Sequence, residues 1–289
     1  MLKCATRIDK EKALMAKCKH CKDLRLETLP QGLFAKAQRC PRCFVHCPQC
    51  HGDGFLYSRD AHGRDLAQKC PCQEVDRRIE LYNLAKIPAQ FFDATLDNFD
   101  IRGNPSLSEA LQMTKMAAKS KAQVHGHGLL FMGGVGMGKT RLVSSLVREY
   151  ILTHGVPCLF QEFTSLLSEI KSGYDQGTSE EQLLSRISQV EVLVIDELGK
   201  GRKTDWEITI LDSIISRRYN MQRVTHFTTN YTDQAKSTYR DAGALRADDR
   251  TETLQQRVYG RIYSRLKEMC HFVNMEGEDY RIADEANQR

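Results

Sequence analysis

The stretch from residue 128 to residue 140 constrains the fold of this chain more than any other. Residues 129–132 (Leu-Leu-Phe-Met) are apolar and uncharged, which predicts a buried parallel strand. Residues 133–140 match the pattern G-x-x-x-x-G-K-[ST], and residues 141–152 follow with the pattern of an amphipathic helix. A strand, a glycine-rich loop and a helix in this order predict an α/β fold with a phosphate-binding loop.

The residue types of the loop fit a nucleotide with its metal ion. Glycines let successive N–H groups point inward as an anion nest, and the following helix adds the positive end of its dipole. Lys139 is predicted to reach the β- and γ-phosphates, and the Thr140 hydroxyl to take one position on Mg²⁺. The predicted nucleotide-binding residues here are Gly133, Gly134, Val135, Gly136, Met137, Gly138, Lys139, Thr140 and Arg141.

Four further apolar segments predict the rest of a five-stranded sheet, at residues 156–160, 192–195, 224–230 and 271–275. The second of them ends in Asp196 and Glu197, at the edge where open α/β sheets bind ligands. Asp196 suits Mg²⁺ coordination, and Glu197 suits polarising the water that attacks a γ-phosphate. Asn230 ends the next strand and is predicted to lie near that phosphate, although Asn is also a common turn residue.

Cysteines dominate the N-terminal quarter of the chain. Nine of the 11 lie in the first 72 residues, eight of them in close pairs, and no secretory leader pattern precedes them. This clustering favours metal ligation over disulfides, because two close pairs complete the tetrahedral thiolate shell that Zn²⁺ prefers. The simplest pairing predicts about two zinc ions, one on Cys18, Cys21, Cys40 and Cys43 and one on Cys47, Cys50, Cys70 and Cys72.

Alternatives remain open for this module. The two sites can instead be nested, with the first and last pairs around the middle two, and an iron–sulfur cluster is the chemical alternative to zinc. Residues 47–54 resemble the C-x-x-C-x-G-x-G zinc knuckle of the DnaJ chaperone family, but Cys70-Pro-Cys72 departs from that pattern with one spacer residue. A module this small is expected to fold on metal binding.

Charge and length limit the number of domains and the kinds of partner that the chain can have. The 289 residues suggest about two domains. Residues 1–72 carry 14 Lys or Arg against 7 Asp or Glu, which fits nucleic acid, an acidic partner or an ordinary solvated surface. No apolar stretch approaches the ~18 residues of a membrane helix, so we expect a cytoplasmic protein without membrane contact.

Several motifs in a fixed order resemble one family. Residues 87–99 (Ile-Pro-x-x-Phe-x-x-Ala-Thr-Leu-Asp-Asn-Phe) precede the phosphate loop, and residues 193–199 (Leu-Val-Ile-Asp-Glu-Leu-Gly) follow it. Further matches are Arg217-Arg218-Tyr219, Thr229-Asn230, Ser264-Arg265-Leu266 and the Gly-Glu-Asp-Tyr-Arg of residues 277–281. Together they resemble the DnaC/IstB group of AAA+ ATPases, close to the DnaC-type loaders of the replicative helicase.

The resemblance implies a fold, an assembly and roles for individual residues. It implies a three-layer AAA+ domain with a five-stranded parallel sheet, ATP at the edge between subunits, and self-association into a ring or open spiral. Lys139 and Thr140 match the Walker A pair, Asp196 and Glu197 the Walker B pair, and Asn230 the sensor-1 residue. Arg265 matches the arginine finger that reaches a neighbour's γ-phosphate, with Arg261 one turn earlier as its rival, and Arg281 is a sensor-2 candidate. Arg257, Arg261 and Arg265 recur at a spacing of four, as expected for one helix face.

These inferences divide the chain into a zinc-binding module at 1–75, a linker and adenine-side segment at 76–106 and an AAA+ domain at 107–289. The leading functional hypothesis is a slow, switch-like ATPase that acts in DNA replication as a helicase loader, binding single-stranded DNA and the replicative helicase. Lys200, Arg202 and Lys203 are candidates for facing DNA, or form an ordinary charged loop. The alternatives are an IstB-like ATPase that helps a transposase and a zinc-dependent, chaperone-like binding module.

Overall fold

The computed structural model describes residues 18–42, 47, 49–120, 127–233, 252–277 and 279. The described part begins with two antiparallel hairpins. Strands β1 (Leu26–Gln31) and β2 (Phe34–Arg39) form the first, and β3 (Phe55–Arg59) and β4 (Asp65–Lys69) form the second. Both hairpins lie within the cysteine-rich region.

A parallel sheet of five strands forms the centre of the molecule, which confirms the predicted fold class. The strands are β5 (Gly128–Gly133), β6 (Cys158–Glu162), β7 (Val192–Asp196), β8 (Val224–Thr229) and β9 (Cys270–Met275). Their order across the sheet is β6-β7-β8-β5-β9. Strand β6 begins after Pro157, later than its sequence pattern predicts, because proline has no N–H to donate to a strand ladder.

Seven α-helices surround the sheet within the described residues. They are α1 (Cys72–Leu84), α2 (Pro105–Lys119), α3 (Lys139–His154), α4 (Phe163–Asp175), α5 (Glu180–Gln189), α6 (Asp205–Asn220) and α7 (Leu254–Met269), and a 3-10 turn (Ala89–Phe91) follows α1. None of the described helices has both the length and the apolar character needed to cross a bilayer.

The side chains of the sheet alternate between two hydrophobic cores, which makes the domain three-layered. On β5, Leu129 and Phe131 pack into a core with the apolar faces of α1, α2 and α3. Leu130 and Met132 face the opposite core, which contains side chains of α4, α5, α6 and α7. Strand β5 is therefore buried on both faces, as its uncharged sequence predicts.

The two hairpins differ in how they contact this domain. Leu26, Ala35 and Ala37 of the first hairpin belong to the same core as α1 and α3. The backbone also joins them, because Ala35 N–H donates to Ile87 O (2.8 Å) and Ala89 N–H donates to Leu33 O (3.0 Å). The second hairpin is exposed along nearly its whole length. The first hairpin is thus built into the layer that carries the phosphate loop.

Candidate active site and metal centres

The phosphate loop connects the end of β5 to the start of α3. Gly136 (φ 78°) and Gly138 (φ 83°) lie in the left-handed region that side chains with a Cβ rarely adopt, which accounts for glycine at both positions. Gly138 directly precedes α3, so the positive end of the helix dipole opens onto the loop. Met137 is buried below the loop and Val135 is exposed above it. The loop thus has the geometry of an anion site.

Lys139 and Arg141 lie in the first turn of α3, directly after this loop. The Lys139 ammonium donates to the carbonyls of Gly133 (2.8 Å) and Gly134 (2.5 Å), so its charge lies over the loop. Arg141 donates to Asn98 Oδ1 (3.2 Å), which joins the base of α3 to the segment before α2. The adenine-side segment predicted from the sequence therefore contacts the phosphate-loop helix.

Thr140 and Asp196 meet although 56 residues separate them in the chain. The Thr140 hydroxyl donates to Asp196 Oδ1 at 3.0 Å. Asp196 is the last residue of β7, and its burial raises the pKa of the carboxyl, with the charges of Glu197 and Glu162 acting in the same direction. A hydroxyl beside a buried carboxylate at the phosphate loop is a donor set that fits Mg²⁺ with a nucleotide.

Glu197 has a constrained backbone and a paired side chain. Its φ of 56° is in the left-handed region, and its N–H donates to the Thr228 hydroxyl at 2.9 Å. The same hydroxyl donates to Asp196 Oδ1 (2.5 Å), so Thr228 connects both predicted Walker B residues. The Glu197 carboxylate forms a close ion pair with Lys200, and this hydrogen bond raises the pKa of the lysine.

Asn230 directly follows β8 and is exposed. Strand β8 lies between β7 and β5, so its end falls between the strand of the Walker B acids and the strand of the phosphate loop. The order of the parallel strands thus places Asn230 at the same edge of the sheet as Asp196 and the loop.

The three arginines of α7 do not share one helix face. Tyr259 (φ 63°, ψ 154°) interrupts the helix after Arg257, so the prediction of a common face is wrong. Arg257 has a largely buried side chain and donates to Gly199 O at 2.6 Å. Arg265 forms an ion pair with Asp212 of α6 at 2.6 Å. Arg261 is 73% exposed and lies 3.8 Å from the same Asp212.

Two cysteine clusters lie at the ends of the first and second hairpins. The sulfurs of Cys47, Cys50, Cys70 and Cys72 all lie within 4.8 Å of one another, and all four residues are buried. Cys18, Cys21 and Cys40 form a second group by the same criterion. Cys43 and Arg281, both predicted as site residues, lie outside the described residues. The grouping follows the sequential pairing, and four buried thiols without a carboxylate form a donor set that fits Zn²⁺.

Arg218 of α6 enters from the sequence only as part of a family motif, which does not predict its burial. Its side chain is fully buried, and its guanidinium donates to Ser188 O (2.9 Å), Val190 O (2.8 Å) and Thr225 Oγ1 (2.8 Å). Burial, with a smaller effect of Arg223, lowers its pKa to about 9. The sequence spacing could have predicted the burial of Arg218, because the residue continues an apolar helix stripe formed by residues 211, 214 and 215.

The chain is similar in sequence to known proteins, over most of its length in one case and over about a third in another. A phage-like element PBSX protein, XkdC of Bacillus subtilis (strain 168), is 25% identical over 247 residues, which is 82% of this chain and 84% of that protein. The replicative helicase loader DnaC of Escherichia coli (strain K12) is 36% identical over 102 residues, 35% of this chain and 41% of DnaC. The matched segment is therefore less than half of DnaC.

Solved structures share the fold. The crystal structure of the DnaC helicase loader superposes with a TM-score of 0.54 at 27% identity, covering 65% of this chain and 99% of that one. The crystal structure of DnaI gives a TM-score of 0.51 at 22% identity, covering 66% of this chain and 93% of that one, and shows the fold alone. The family described as IstB-like ATP binding protein matches residues 65–288. The chain therefore belongs to the IstB-like family of AAA+ ATP-binding proteins.

Proposed function

We propose that this protein is a slow, switch-like ATPase that loads a replicative helicase onto single-stranded DNA. The observation that carries the proposal is the meeting of Thr140 and Asp196 at the phosphate loop, with Glu197 next in the chain, in a fold that aligns with 99% of the DnaC loader structure. In this proposal residues 107–289 form the ATPase domain, residues 76–106 the linker and adenine-side segment, and residues 1–75 a zinc-binding module.

The proposed roles follow from the contacts of each residue. Lys139 and the loop N–H groups hold the phosphates, and Arg141 supports the adenine side. Thr140 and Asp196 hold Mg²⁺, which supplies charge neutralisation at the phosphates when bound. Glu197 accepts a proton from the attacking water, Asn230 orients the γ-phosphate, and Arg281 is a further nucleotide contact.

The zinc module is proposed to hold a partner. Its second hairpin is exposed along nearly its whole length, and Tyr57 on it is 69% exposed. The eight predicted cysteine ligands would fix the two hairpins, with zinc supplying folding energy to a region with few apolar residues of its own.

Co-purification tests the identity of the partner. The tagged protein should retain the host's replicative helicase in the presence of ATP, and Lys139→Ala should abolish this retention because the ammonium no longer reaches the phosphates. The second candidate function, a transposase helper, is favoured by the match to the IstB-like family. Retention of a transposase together with no retention of the helicase would overturn the loader proposal.

Self-association into a ring or spiral predicts an arginine acting in trans. Arg265 is the finger matched by sequence, whereas Arg261 is the more exposed of the two on α7. Mixing Arg265→Ala subunits with Lys139→Ala subunits should restore phosphate release if Arg265 acts on a neighbour's nucleotide. The same experiment with Arg261→Ala is the matched comparison, and the arginine whose mixture recovers activity is the finger. If neither mixture recovers, action in trans by Arg265 or Arg261 is not supported.

A further inference from the structure

The segment that leaves β9 runs along the phosphate loop. Met275 ends β9 and pairs with Gly133 at the end of β5. A Cβ on Gly133 would collide with the Met275 carbonyl, so the two backbones are in close contact. Further along the chain, a Cβ on Gly277 would lie 3.5 Å from Met137 Sδ. Residues 275–277 therefore follow the loop from its first residue towards its centre.

The start of α2 holds this segment in place. The Asn104 side-chain amide donates to Glu276 O at 2.7 Å, and its Oδ1 accepts the Ser106 N–H and so caps α2. The Ser106 hydroxyl donates to Asn274 O and accepts the Glu276 N–H, both at 2.9 Å. Hydrogen bonds to α2 thus fix the backbone directly before the segment reaches the loop.

Asp279 brings a carboxylate into contact with the loop. A Cβ on Gly136 would collide with the Asp279 carboxyl group, whose Oδ1 lies in the space that such a side chain would fill. Glycine at position 136 therefore does more than adopt a φ of 78°, because it also leaves room for this carboxylate. Asp279 is partly buried there. An acidic side chain thus lies against a loop whose geometry suits anions.

The loop favours a carboxylate for the same reasons that it favours a phosphate. The N–H groups of the loop and the positive end of the α3 dipole stabilise negative charge, and the Lys139 ammonium lies over the loop, 2.8 Å from Gly133 O. Two anions at close range repel each other, so a phosphate chain and the Asp279 carboxylate compete for this position. Phosphates that contact Gly136 must therefore displace the carboxylate.

We propose that Asp279 is an internal competitor of the nucleotide, whose carboxylate occupies part of the phosphate loop and leaves it when ATP binds. The inference deepens the proposed function and rests on its nucleotide site, but it does not depend on which partner the protein holds. The measured Kd for ATP is then the intrinsic Kd divided by the fraction of molecules whose loop is free of the carboxylate. Asp279 therefore lowers the affinity for every ligand that places phosphates on the loop.

Nucleotide binding by the full chain tests the proposal. Asp279→Asn keeps the shape of the side chain and removes its charge, so the Kd for ATP should fall by about three- to tenfold, between the effects of an exposed ion pair and of a charged hydrogen bond. Asp279→Ala should give a similar change. Inorganic pyrophosphate, measured by displacement of a fluorescent ATP analogue, should gain affinity by a similar factor, because the competition concerns the phosphates and not the base.

Glu276→Gln is the matched control. It removes the same charge from an exposed side chain of the same segment, and its Kd for ATP should stay within twofold of that of the wild type. Titrations with Mg²⁺ and with EDTA distinguish competition from metal ligation, because the loss of a metal ligand would weaken ATP binding in Mg²⁺.

Two results would overturn the inference. One is a Kd for ATP in Asp279→Asn that equals or exceeds that of the wild type, and the other is an equal gain in Glu276→Gln. Helicase retention is a separate measurement, so its failure beside an intact gain in ATP affinity would count against the loader proposal alone.

Discussion

Thr228→Val is the substitution that most directly tests how the site is assembled. Valine has nearly the shape of threonine but loses the hydroxyl that donates to Asp196 Oδ1 (2.5 Å) and accepts the Glu197 N–H (2.9 Å). Burial already raises the pKa of Asp196, and the Thr228 hydroxyl opposes that shift. Without the hydroxyl the ionised carboxylate that Mg²⁺ requires is less stable.

The size of the effect follows from the kind of hydrogen bond lost. A hydrogen bond to a charged group contributes ~1.5–3 kcal/mol, and ~1.4 kcal/mol corresponds to a factor of ten in an equilibrium constant. The Mg²⁺ concentration needed for half-maximal phosphate release should therefore rise by at least about tenfold in Thr228→Val. Nucleotide binding measured without Mg²⁺ should change little, because the proposed phosphate contacts are Lys139 and the loop N–H groups, whereas the Thr228 hydroxyl supports Asp196.

The assay is a Mg²⁺ titration of phosphate release at fixed ATP. Thr228→Ser keeps the hydroxyl and is the matched control, so its midpoint should stay near that of the wild type. A Thr228→Val midpoint within twofold of the wild type would refute the reasoning, since it would mean that this hydroxyl does not support the Asp196 carboxylate.

Two further predictions concern stability and metal content. Burial lowers the pKa of His226 to about 3. At a pH below the ordinary histidine pKa of about 6.5, the unfolded chain therefore binds a proton at this residue that the folded protein does not bind. The stability that this neutral histidine contributes is complete above about pH 6.5 and is lost as the pH falls towards 3, by about 2 kcal/mol between pH 7 and pH 5. His226→Asn, whose amide oxygen can still accept the Leu129 N–H, should reduce that loss in urea unfolding at the two pH values, and an unchanged pH dependence would contradict this account. Cys50→Ser should lower bound zinc by about one ion per chain and lower Tm, because Cys50 belongs to a four-sulfur cluster, whereas Cys158→Ala should keep the metal; equal zinc in both variants would argue against the site.

The parts of the site that the sequence predicts are those built from local patterns. Gly138, Lys139 and Thr140 follow a strand and begin a helix, and Asp196 ends a strand, so each position is determined by its neighbours in the chain. Parallel strands then bring the loop and the acid to one edge of the sheet without further information. For this reason the types and order of the residues suffice to predict both the fold and the contact between Thr140 and Asp196.

Thr228 and Arg257 act through contacts that no local pattern encodes. The Thr228 hydroxyl reaches Asp196 because of the register between β7 and β8, in which Ile195 lies opposite Phe227. Arg257 supports the turn at Gly199 from the part of α7 that precedes the break at Tyr259, and three arginines at a spacing of four give no sign of that break. Both depend on how segments far apart in the chain are placed, which residue spacing does not specify.

The cysteine clusters and the phosphate loop are joined through α1. Cys72 is both a member of the fully described cluster and the first residue of α1, so a metal ion there would fix the start of that helix, and the Cys72 thiolate would lie at the positive end of the helix dipole. Arg78 of α1 donates to Leu152 O of α3 at 2.9 Å, and Arg148 of α3 donates to Thr28 of the first hairpin at 2.6 Å. Helix α3 begins at Lys139, so a partner that pulled on the first hairpin would act on the helix that is proposed to hold the phosphates. In the proposed function, the coupling between ATP and a partner therefore runs through α1 and the first hairpin, because both pack against α3.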